Sequence, residues 1–292
     1  MFTLRDAWRE GRAALAQSGV ETPQLDSEII IRYLTCKGRE EFYRDLGEPF
    51  PAELLARFYQ LLRQRGRGVP VAYLVGEKEF FGFSFKVTPA VLIPRPETEI
   101  LVETALELWQ QGDLPVSPRI LDIGTGSGAI AISLALKIQN AEVVATDVKA
   151  EALAVARQNA LRLGAKKTFF RHGDLWQALE TAESDSGPRS FDLVVSNPPY
   201  IPKGELMRLT PELQQEPREA LDGGEDGLDF YRRISAGLGQ VLQHGGWVLL
   251  EVGQGQAPAV RELLAQAGLT VFPPVCDLSG VERVVKARQQ EL

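Results

Sequence analysis

Four consecutive residues, Asn197-Pro198-Pro199-Tyr200, carry groups suited to hold an NH2 group. The Asn197 side chain offers a neutral carbonyl acceptor, and each proline offers a backbone C=O without a competing N–H. Because a Pro-Pro frame is stiff, two such acceptors are fixed and can each take one hydrogen of the same NH2. Tyr200 adds a flat face for a planar amide or a base. Taken alone, these residues also fit a simple proline turn after a strand.

A second candidate site is the segment 121–128, which reads Leu-Asp-Ile-Gly-Thr-Gly-Ser-Gly and links a predicted strand to a helix. Glycines allow a tight turn and let a ligand approach the backbone without a Cβ in the way. Asp147 ends the next predicted strand, where a carboxylate can bind both hydroxyls of a ribose. Strand, loop, helix, strand and acid together indicate a nucleoside cofactor, with a merely structural turn as the alternative.

Two further features distinguish between possible cofactors. Asp122, just before the first glycine, places a carboxylate near a positively charged part of a ligand, which favours the cationic S-adenosylmethionine over a pyrophosphate. Asp174 and Leu175 follow the third strand, where the edge of an adenine would lie, although Asp174 also fits a helix N-cap before Trp176. The glycines alone still leave a dinucleotide open, because Gly124, Gly126 and Ala129 satisfy its fingerprint.

The elements that position these residues alternate between strand and helix from residue 119 onward. Such alternation predicts an α/β fold, a doubly wound, mostly parallel sheet with helices on both faces and with an antiparallel last strand. The predicted helices that follow the first two strands span 128–138 and 150–163. The seven predicted strands span residues 119–123, 142–146, 167–172, 191–196, 247–252, 269–275 and 283–287.

The first 75 residues have a different pattern, with apolar residues at helical spacing. Helices are predicted near 4–15, 24–36 and 51–62, which together form a small bundle. An aromatic-rich stretch around Gly82 predicts a β-hairpin, and Pro94 starts a break before the next helix. The expected domains are therefore a helical domain at 1–75, a β-hairpin linker at 76–93 and a catalytic domain at 94–292.

Bulk properties restrict the possible functions. The net charge of −7 argues mildly against a protein that grips a long nucleic acid, and Arg63, Arg65 and Arg67 fit a solvated helix end better than a binding patch. The sequence shows no transmembrane run, no signal peptide and no paired cysteines, which favours a cytoplasmic location. Neither a metal cluster nor a classical base is evident, and the two histidines, His172 and His244, lie outside every motif.

Taken in order and spacing, these motifs resemble the release-factor glutamine methyltransferases (PrmC/HemK), a family of class I S-adenosylmethionine-dependent enzymes. The resemblance covers most of residues 70–285 and implies the seven-stranded methyltransferase sheet, with the helical domain as the part that recognises the substrate. The stretches that carry it are 71–76, 80–82, 92–99, 121–128, 196–201, 216–221 and 223–228.

The resemblance also implies roles for individual residues. S-adenosylmethionine would be held by residues of three loops and by Asn197. Asn197, Pro198, Pro199 and Tyr200 would bind the glutamine of a Gly-Gly-Gln loop in a class I peptide chain release factor. Asn197 and Pro198 would act in catalysis by accepting the two hydrogens of the amide. The expected cofactor residues in the loops are Gly124, Thr125, Gly126, Ser127, Gly128, Asp147, Asp174 and Leu175.

Three alternatives remain open on the sequence. A nucleic-acid methyltransferase acting on an exocyclic amine such as adenine N6 would use the same tetrapeptide. An NAD-dependent oxidoreductase would use the glycine fingerprint but leaves residues 197–200 unexplained. A non-catalytic binding protein would not need both motifs intact. The long stretch 201–227 is expected to form part of the substrate rim and to become ordered on docking, whereas 181–188 is expected to be a mobile surface loop.

Overall fold

The computed structural model describes residues 1–180 and 190–290, so the loop expected at 181–188 lies outside the described residues. The chain forms two compact units. The first comprises Met1–Glu77 together with Leu209–Gln215, and the second comprises Lys78–Arg208 and Glu216–Leu292. The three-part domain division expected from the sequence stays a prediction. The part of 201–227 that belongs to the first unit was not distinguished by sequence reasoning.

The first unit is helical, as its apolar spacing predicts. Its first helix begins at a capping box, in which Thr3 and Asp6 exchange side-chain and backbone hydrogen bonds. Two short helices escaped the sequence analysis, because six and five residues are too few to show a helical period. The five helices are α1 Leu4–Gln17, α2 Pro23–Thr35, α3 Arg39–Arg44, α4 Leu55–Gly66 and α5 Val71–Val75.

Buried Arg65 ties the separate segment 209–215 into the first unit through an ion pair with the partly exposed Glu212. The guanidinium of Arg65 lies 2.6 Å from the Asp26 carboxylate and also pairs with Glu212. Arg65 is only 3% exposed, so its expected place at a solvated helix end was wrong. A buried charge is tolerated when an opposite charge compensates it, and Asp26 supplies that charge from a position 39 residues away.

The second unit contains the hairpin and the sheet. The expected hairpin is present as a separate two-stranded sheet, with β1 Glu77–Phe80 and β2 Phe83–Lys86 joined by a tight turn. The helices are α6 Glu99–Gln111, α7 Ala129–Lys137, α8 Ala150–Leu163, α9 Gln177–Glu180, α10 Asp229–Val241 and α11 Ala257–Gln266. The remaining strands are β3 Arg119–Ile123, β4 Glu142–Asp147, β5 Thr168–His172, β6 Phe191–Ser196, β7 Leu242–Glu251, β8 Thr270–Val271, β9 Val275–Cys276 and β10 Glu282–Arg288.

The main sheet follows the order β5-β4-β3-β6-β7-β10-β8, in which β3 to β7 are parallel and β10 runs antiparallel to β7. This confirms the mostly parallel sheet with antiparallel strands at one edge. One expected strand, 269–275, is split into β8 and β9, so the main sheet of the described residues has eight strands rather than seven. Pro273 and Pro274 lie between the two pieces, and neither has an N–H to donate to a ladder.

Both faces of the sheet are buried under helices. Neighbouring residues of each strand alternate between the two cores: Leu193 and Val195 of β6 pack on one face, and Val194 packs on the other. Helices α6 and α7 cover the first face, and α10 and α11 cover the second. No helix of the described residues is long and apolar enough to cross a membrane.

Two glycines of helix α10 allow a matched test of how Trp176, in the loop after β5, packs against this helix. The indole of Trp176 lies over Gly237 and donates to the Arg233 carbonyl at 3.0 Å. A Cβ added at Gly237 would lie 2.0 Å from the indole nitrogen, whereas one added at Gly239 meets nothing within 4 Å. Gly237→Ala should therefore destabilise the fold by about 1–3 kcal/mol, and Gly239→Ala should be neutral or stabilise it by up to about 1 kcal/mol.

Urea denaturation of the two variants would measure both free energies of unfolding. Equal midpoints for the two alanine variants would contradict the packing of Trp176 on Gly237. Because both glycines lie in one helix, the intrinsic helix propensity gained is the same in each variant.

Candidate active site

An open cavity lies at the carboxyl ends of the parallel strands. Ligands of open α/β sheets bind at this edge, where the strand order reverses direction. Here the order reverses between β3 and β6, because the chain proceeds outward to β4 and β5 and then returns to the other side. The cavity is lined by residues that follow β3, β4, β5 and β6, and by Phe230 and Ile234 of α10.

The two sequence motifs meet because their strands are neighbours in register. Ile123 of β3 pairs with Ser196 of β6, and the Ser196 hydroxyl donates to the Ile123 carbonyl at 2.7 Å. The next residues along the two strands, Gly124 and Asn197, both line the cavity. A ligand bound over the glycine loop therefore lies beside the tetrapeptide.

The glycine loop is held by backbone hydrogen bonds to the end of β4. The N–H groups of Gly124 and Thr125 both donate to the Thr146 carbonyl, at 2.9 and 2.8 Å. Gly124 and Gly126 line the cavity, and a Cβ added at either would meet nothing within 4 Å. The loop therefore presents bare backbone at the cavity wall, and the expected contact of these two glycines with a cofactor stays a prediction.

Three other residues of the loop are not among the described residues that line the cavity. The Thr125 hydroxyl donates inward to Asp122 at 2.6 Å, and the Ser127 carbonyl accepts from Asn159 at 2.9 Å. Gly128 has a φ of +83°, and a Cβ there would lie 2.7 Å from Ile132. These positions support the shape of the loop, and their expected contact with a cofactor stays a prediction.

Asp122 lies beneath the loop and is fully buried. One carboxyl oxygen accepts from Thr125 and from the Ala131 N–H at 3.2 Å, which ties the loop to helix α7. The other oxygen has no hydrogen-bond partner among the described residues. Burial raises the pKa of Asp122 to about 7, and the two donors only partly offset that rise. Asp122 thus fixes the glycine loop relative to helix α7 through these hydrogen bonds, a structural role that the sequence did not predict.

Asp147 lies at the end of β4 and faces the cavity. Its carboxylate accepts from the Gly126 N–H and from the Lys149 N–H, each at 2.9 Å. Burial raises the pKa of this carboxyl above its ordinary value, and these backbone donors oppose the rise. A carboxylate has about four lone-pair sites, so Asp147 can accept further bonds from a pair of hydroxyls.

Asp174 and Leu175 line the cavity on the side of α10. The Asp174 carboxylate forms an exposed ion pair with Arg233 at 2.6 Å. Arg233 also lies over the Phe230 ring, 5.6 Å from its centroid. Leu175, Phe230 and Ile234 make this end of the cavity apolar, which suits a flat aromatic base. Sequence reasoning placed the two loop residues here but missed the helix.

The tetrapeptide is divided between the cavity wall and the interior. Asn197, Pro198 and Pro199 line the cavity, whereas Tyr200 is not among the described lining residues. Tyr200 lies close to Gly253, and burial raises the pKa of its phenol to about 12. The predicted packing of Tyr200 on a planar substrate stays a prediction. The Asn197 amide donates to the Thr98 hydroxyl at 3.2 Å.

Glu216 connects the segment after residues 209–215 to Ile93 and Arg95. Glu216 is 6% exposed, and its carboxylate accepts from the Ile93 N–H at 2.9 Å and pairs with Arg95. The chain therefore returns to the second unit, after residues 209–215, at a fixed point next to the cavity-lining Pro217. Arg95 thus has a structural partner in Glu216.

Other lining residues were not assigned to the site individually. They include Ala90, Val91 and Leu92, and also Pro217, Glu219 and Ala220 within the expected rim stretch 201–227. Lys149 joins Glu219 in an ion pair of 2.7 Å. Leu92 and the residues 217–220 lie in stretches that carried the family resemblance. The family resemblance was therefore the one signal that could have placed these residues in the site. Their side chains are mostly apolar or lie in loops, so residue type alone does not mark them as part of a site.

Comparisons with known proteins agree with this geometry. Residues 6–76 match the model of a PrmC N-terminal domain, and residues 98–226 match that of a methyltransferase small domain. The release factor glutamine methyltransferase of Geobacter sulfurreducens is 40% identical over 289 residues, which cover 99% of this chain and 97% of that protein. The enzyme of the same name from Moorella thermoacetica is 40% identical over 295 residues, covering 99% and 100%.

Among solved structures, the chain resembles the N-terminal domain of human METTL16 in complex with SAH. The TM-score is 0.51 at 21% identity, and the match covers 71% of this chain and 76% of that one. At this identity the similarity concerns the fold, and it agrees with the parallel sheet and its antiparallel edge.

Proposed function

Because the chain belongs to the release factor glutamine methyltransferase family, we propose that it methylates the side-chain amide nitrogen, N5, of a glutamine in a peptide chain release factor. The methyl donor is S-adenosylmethionine. The observation that carries the proposal is the pairing of Ile123 with Ser196, which brings the glycine loop and Asn197 to one cavity wall.

The residues present fit S-adenosylmethionine. Gly124 and Gly126 offer bare backbone, and Asp147 offers a carboxylate with spare acceptor capacity for the ribose hydroxyls. Leu175 and Phe230 offer an apolar wall for the adenine. When bound, the cofactor supplies a methyl group that is already strongly activated by its sulfonium.

The protein therefore mainly has to position the acceptor. An amide nitrogen is a poor nucleophile, because its lone pair is shared with the carbonyl. The Asn197 side-chain carbonyl and the Pro198 backbone carbonyl would each accept one N–H hydrogen of the substrate amide. These bonds orient the nitrogen and become stronger as positive charge develops on it during methyl transfer.

Loss of the amide proton does not require a side-chain base in this proposal. The nearest phenol, Tyr200, has a pKa of about 12 because it is buried, so it stays protonated at neutral pH. Once the nitrogen carries positive charge, its proton is acidic enough to pass to water. The carbonyl that accepts this hydrogen would hold it until it leaves, and the other carbonyl would keep the remaining N–H.

We further propose that the substrate glutamine lies in the Gly-Gly-Gln loop of class I release factors. The helical first unit would recognise the rest of the release factor, and the stretch 201–227 would form part of the rim. The net charge of −7 supports a protein partner over a stable nucleic-acid partner. An enzyme acting on release factors would work in the cytoplasm, where translation ends.

Mass spectrometry of a purified release factor, after incubation with this protein and S-adenosylmethionine, tests the proposal. We expect a gain of about 14 Da, the mass of one CH2, on the glutamine of the Gly-Gly-Gln peptide. A release factor with that glutamine replaced by alanine is the matched control and should gain nothing. Methyl transfer to duplex DNA in a parallel reaction, with none to the release factor, would establish the adenine-N6 alternative instead.

A further inference from the structure

The side chain of Gln256 holds the backbone at the end of the tetrapeptide. Gln256 is the N-cap of α11, in the segment that follows β7, and it is partly buried. Its side-chain NH2 donates to the Tyr200 carbonyl at 2.9 Å and to the Gly227 carbonyl at 3.3 Å. Its side-chain oxygen accepts from the Gly253 N–H at 3.0 Å. One amide therefore joins three separate stretches of backbone.

The orientation of this amide is fixed by the backbone groups around it. A backbone N–H only donates and a backbone C=O only accepts. The Gly253 N–H therefore needs the oxygen of the Gln256 side chain, and the two carbonyls need its NH2. An NH2 group has two hydrogens, one for each carbonyl. A glutamate at this position would keep the acceptor for Gly253 but would lose both donors.

Three glycines let the backbone of two loops pack directly against Tyr200. A Cβ added at Gly223 would lie 2.8 Å from the Tyr200 carbonyl carbon, and one added at Gly227 would overlap the Tyr200 carbonyl oxygen. On the side of the ring, a Cβ added at Gly253 would lie 3.0 Å from Cδ2 of Tyr200. All three glycines are buried. The carbonyl held by the glutamine side chain is therefore enclosed by main chain as well.

The residue after the tetrapeptide is fixed in the same way. Ile201 forms an isolated parallel bridge with Asp222. Its N–H donates to the Leu221 carbonyl at 3.0 Å, and its carbonyl accepts from the Gly223 N–H at 2.8 Å. Gln256 binds the carbonyl of the residue just before this bridge, so its side chain and the bridge together hold the chain where it leaves the cavity wall.

The tetrapeptide is therefore held at both ends. At its start, Ser196 belongs to β6 and is paired with Ile123 on one side and with Leu250 on the other. Between the two ends lie Pro198 and Pro199, whose rings fix the backbone angle φ. With both ends held and φ fixed in the middle, few torsions remain that could turn the Pro198 carbonyl.

We propose that Gln256 is a positioning residue for methyl transfer: by holding the Tyr200 carbonyl, it sets the direction of the Pro198 carbonyl, which would accept one N–H hydrogen of the substrate amide. The inference rests on the proposed function. Gln256 is not among the described residues of the cavity wall, so it acts through the tetrapeptide. Such an effect can be large, because a displacement of about 1 Å in a positioned group can cost about 100-fold in rate.

The test is Gln256→Glu at pH 8, where a glutamate is ionised. This variant keeps the acceptor for the Gly253 N–H but places a carboxylate against the two carbonyls. We expect kcat for release-factor methylation to fall by about 10- to 100-fold, with the affinity for S-adenosylhomocysteine within about three-fold of wild type. Gln254→Glu is the matched control, because it makes the same change at an exposed position of the same loop and should leave both values unchanged.

Gln256→Glu also separates positioning from a merely structural role. If Gln256 served only to fix Gly253 at the start of α11, a glutamate would serve as well, and a kcat within about two-fold of wild type would overturn the inference. Gln256→Met removes both donors without adding a charge and keeps a similar length, so it should also lower kcat by about 10-fold or more. If Gln256→Glu does not fold well enough to bind S-adenosylhomocysteine, wild-type turnover by Gln256→Met overturns the inference instead.

Hydrogen exchange of the backbone just after the tetrapeptide is independent of activity, so it separates this inference from the proposed function. The N–H groups of Ile201 and Lys203 both donate to carbonyls of the segment 221–224. They should exchange slowly in the wild type and in Gln254→Glu, and about 10-fold faster or more in the two Gln256 variants. Equal exchange in all four proteins would refute the positioning role. Faster exchange in the Gln256 variants, with no methylation of the release factor by the wild type, would support the held tetrapeptide and contradict only the proposed substrate.

Discussion

Replacing Asn197 with alanine should lower kcat for release-factor methylation by about 100- to 1,000-fold. The side-chain carbonyl is one of two acceptors that would hold the substrate NH2, and its bond strengthens as charge develops on the nitrogen. Its removal therefore weakens the transition state more than the ground state. The cofactor cavity keeps its glycine loop and Asp147, so binding of S-adenosylhomocysteine should weaken by only a few-fold.

Single-turnover methylation and calorimetric titration of S-adenosylhomocysteine would measure the two effects separately. The exposed Asn140 offers a control, because Asn140→Ala removes an asparagine outside the described cavity wall and should leave both values unchanged. An Asn197→Ala protein that keeps wild-type turnover would eliminate Asn197 as the acceptor. A loss of cofactor binding as large as the loss of kcat would show that Asn197 serves the cofactor instead.

Replacing Asp147 with alanine should weaken binding of S-adenosylhomocysteine by about 100-fold, because hydrogen bonds to a charged group contribute about 1.5–3 kcal/mol each. The carboxylate would accept from the ribose hydroxyls and also holds the Gly126 and Lys149 N–H groups. The variant thus loses ligand contacts and the fixed position of the glycine loop. Turnover at saturating cofactor should fall much less.

Asp174→Ala is the matched control for this prediction, because it removes a second carboxylate from the same cavity wall. Asp174 is partly exposed and paired with Arg233, so water competes for its bonds, and we expect a loss below about 10-fold. Calorimetric titration of both variants would compare them directly. An affinity of Asp147→Ala within three-fold of wild type would exclude the proposed ribose contact.

The architecture could be predicted well because it follows from local patterns. Apolar strands alternating with helices predict a parallel sheet, and the residues that follow such strands gather at one edge. Gly124, Asp174 and Asn197 follow strands, Asp147 ends one, and all four line one cavity. The expected seven strands became eight, because Pro273 and Pro274 divide one of them.

The structure adds most to the sequence expectations where long-range packing overrides local pattern. Arg65 lies among other arginines at a helix end, yet it is buried because Asp26 compensates its charge. Tyr200 shares a motif with Asn197, but it is not among the described residues of the cavity wall. Burial of a side chain depends on which elements pack against it, and a short motif does not contain that information.

The sequence by itself indicated the type of chemistry, because a glycine loop before a helix, an acid at a strand end and a stiff pair of prolines resemble a methyltransferase when taken in this order and spacing. Only the tertiary structure decided which of these residues meet. Gly124 follows β3 and Asn197 follows β6, and the pairing of Ile123 with Ser196 brings them to one cavity wall. Gly124 and Asn197 are 73 positions apart in the chain, and the register between two strands depends on long-range packing that a short motif does not contain.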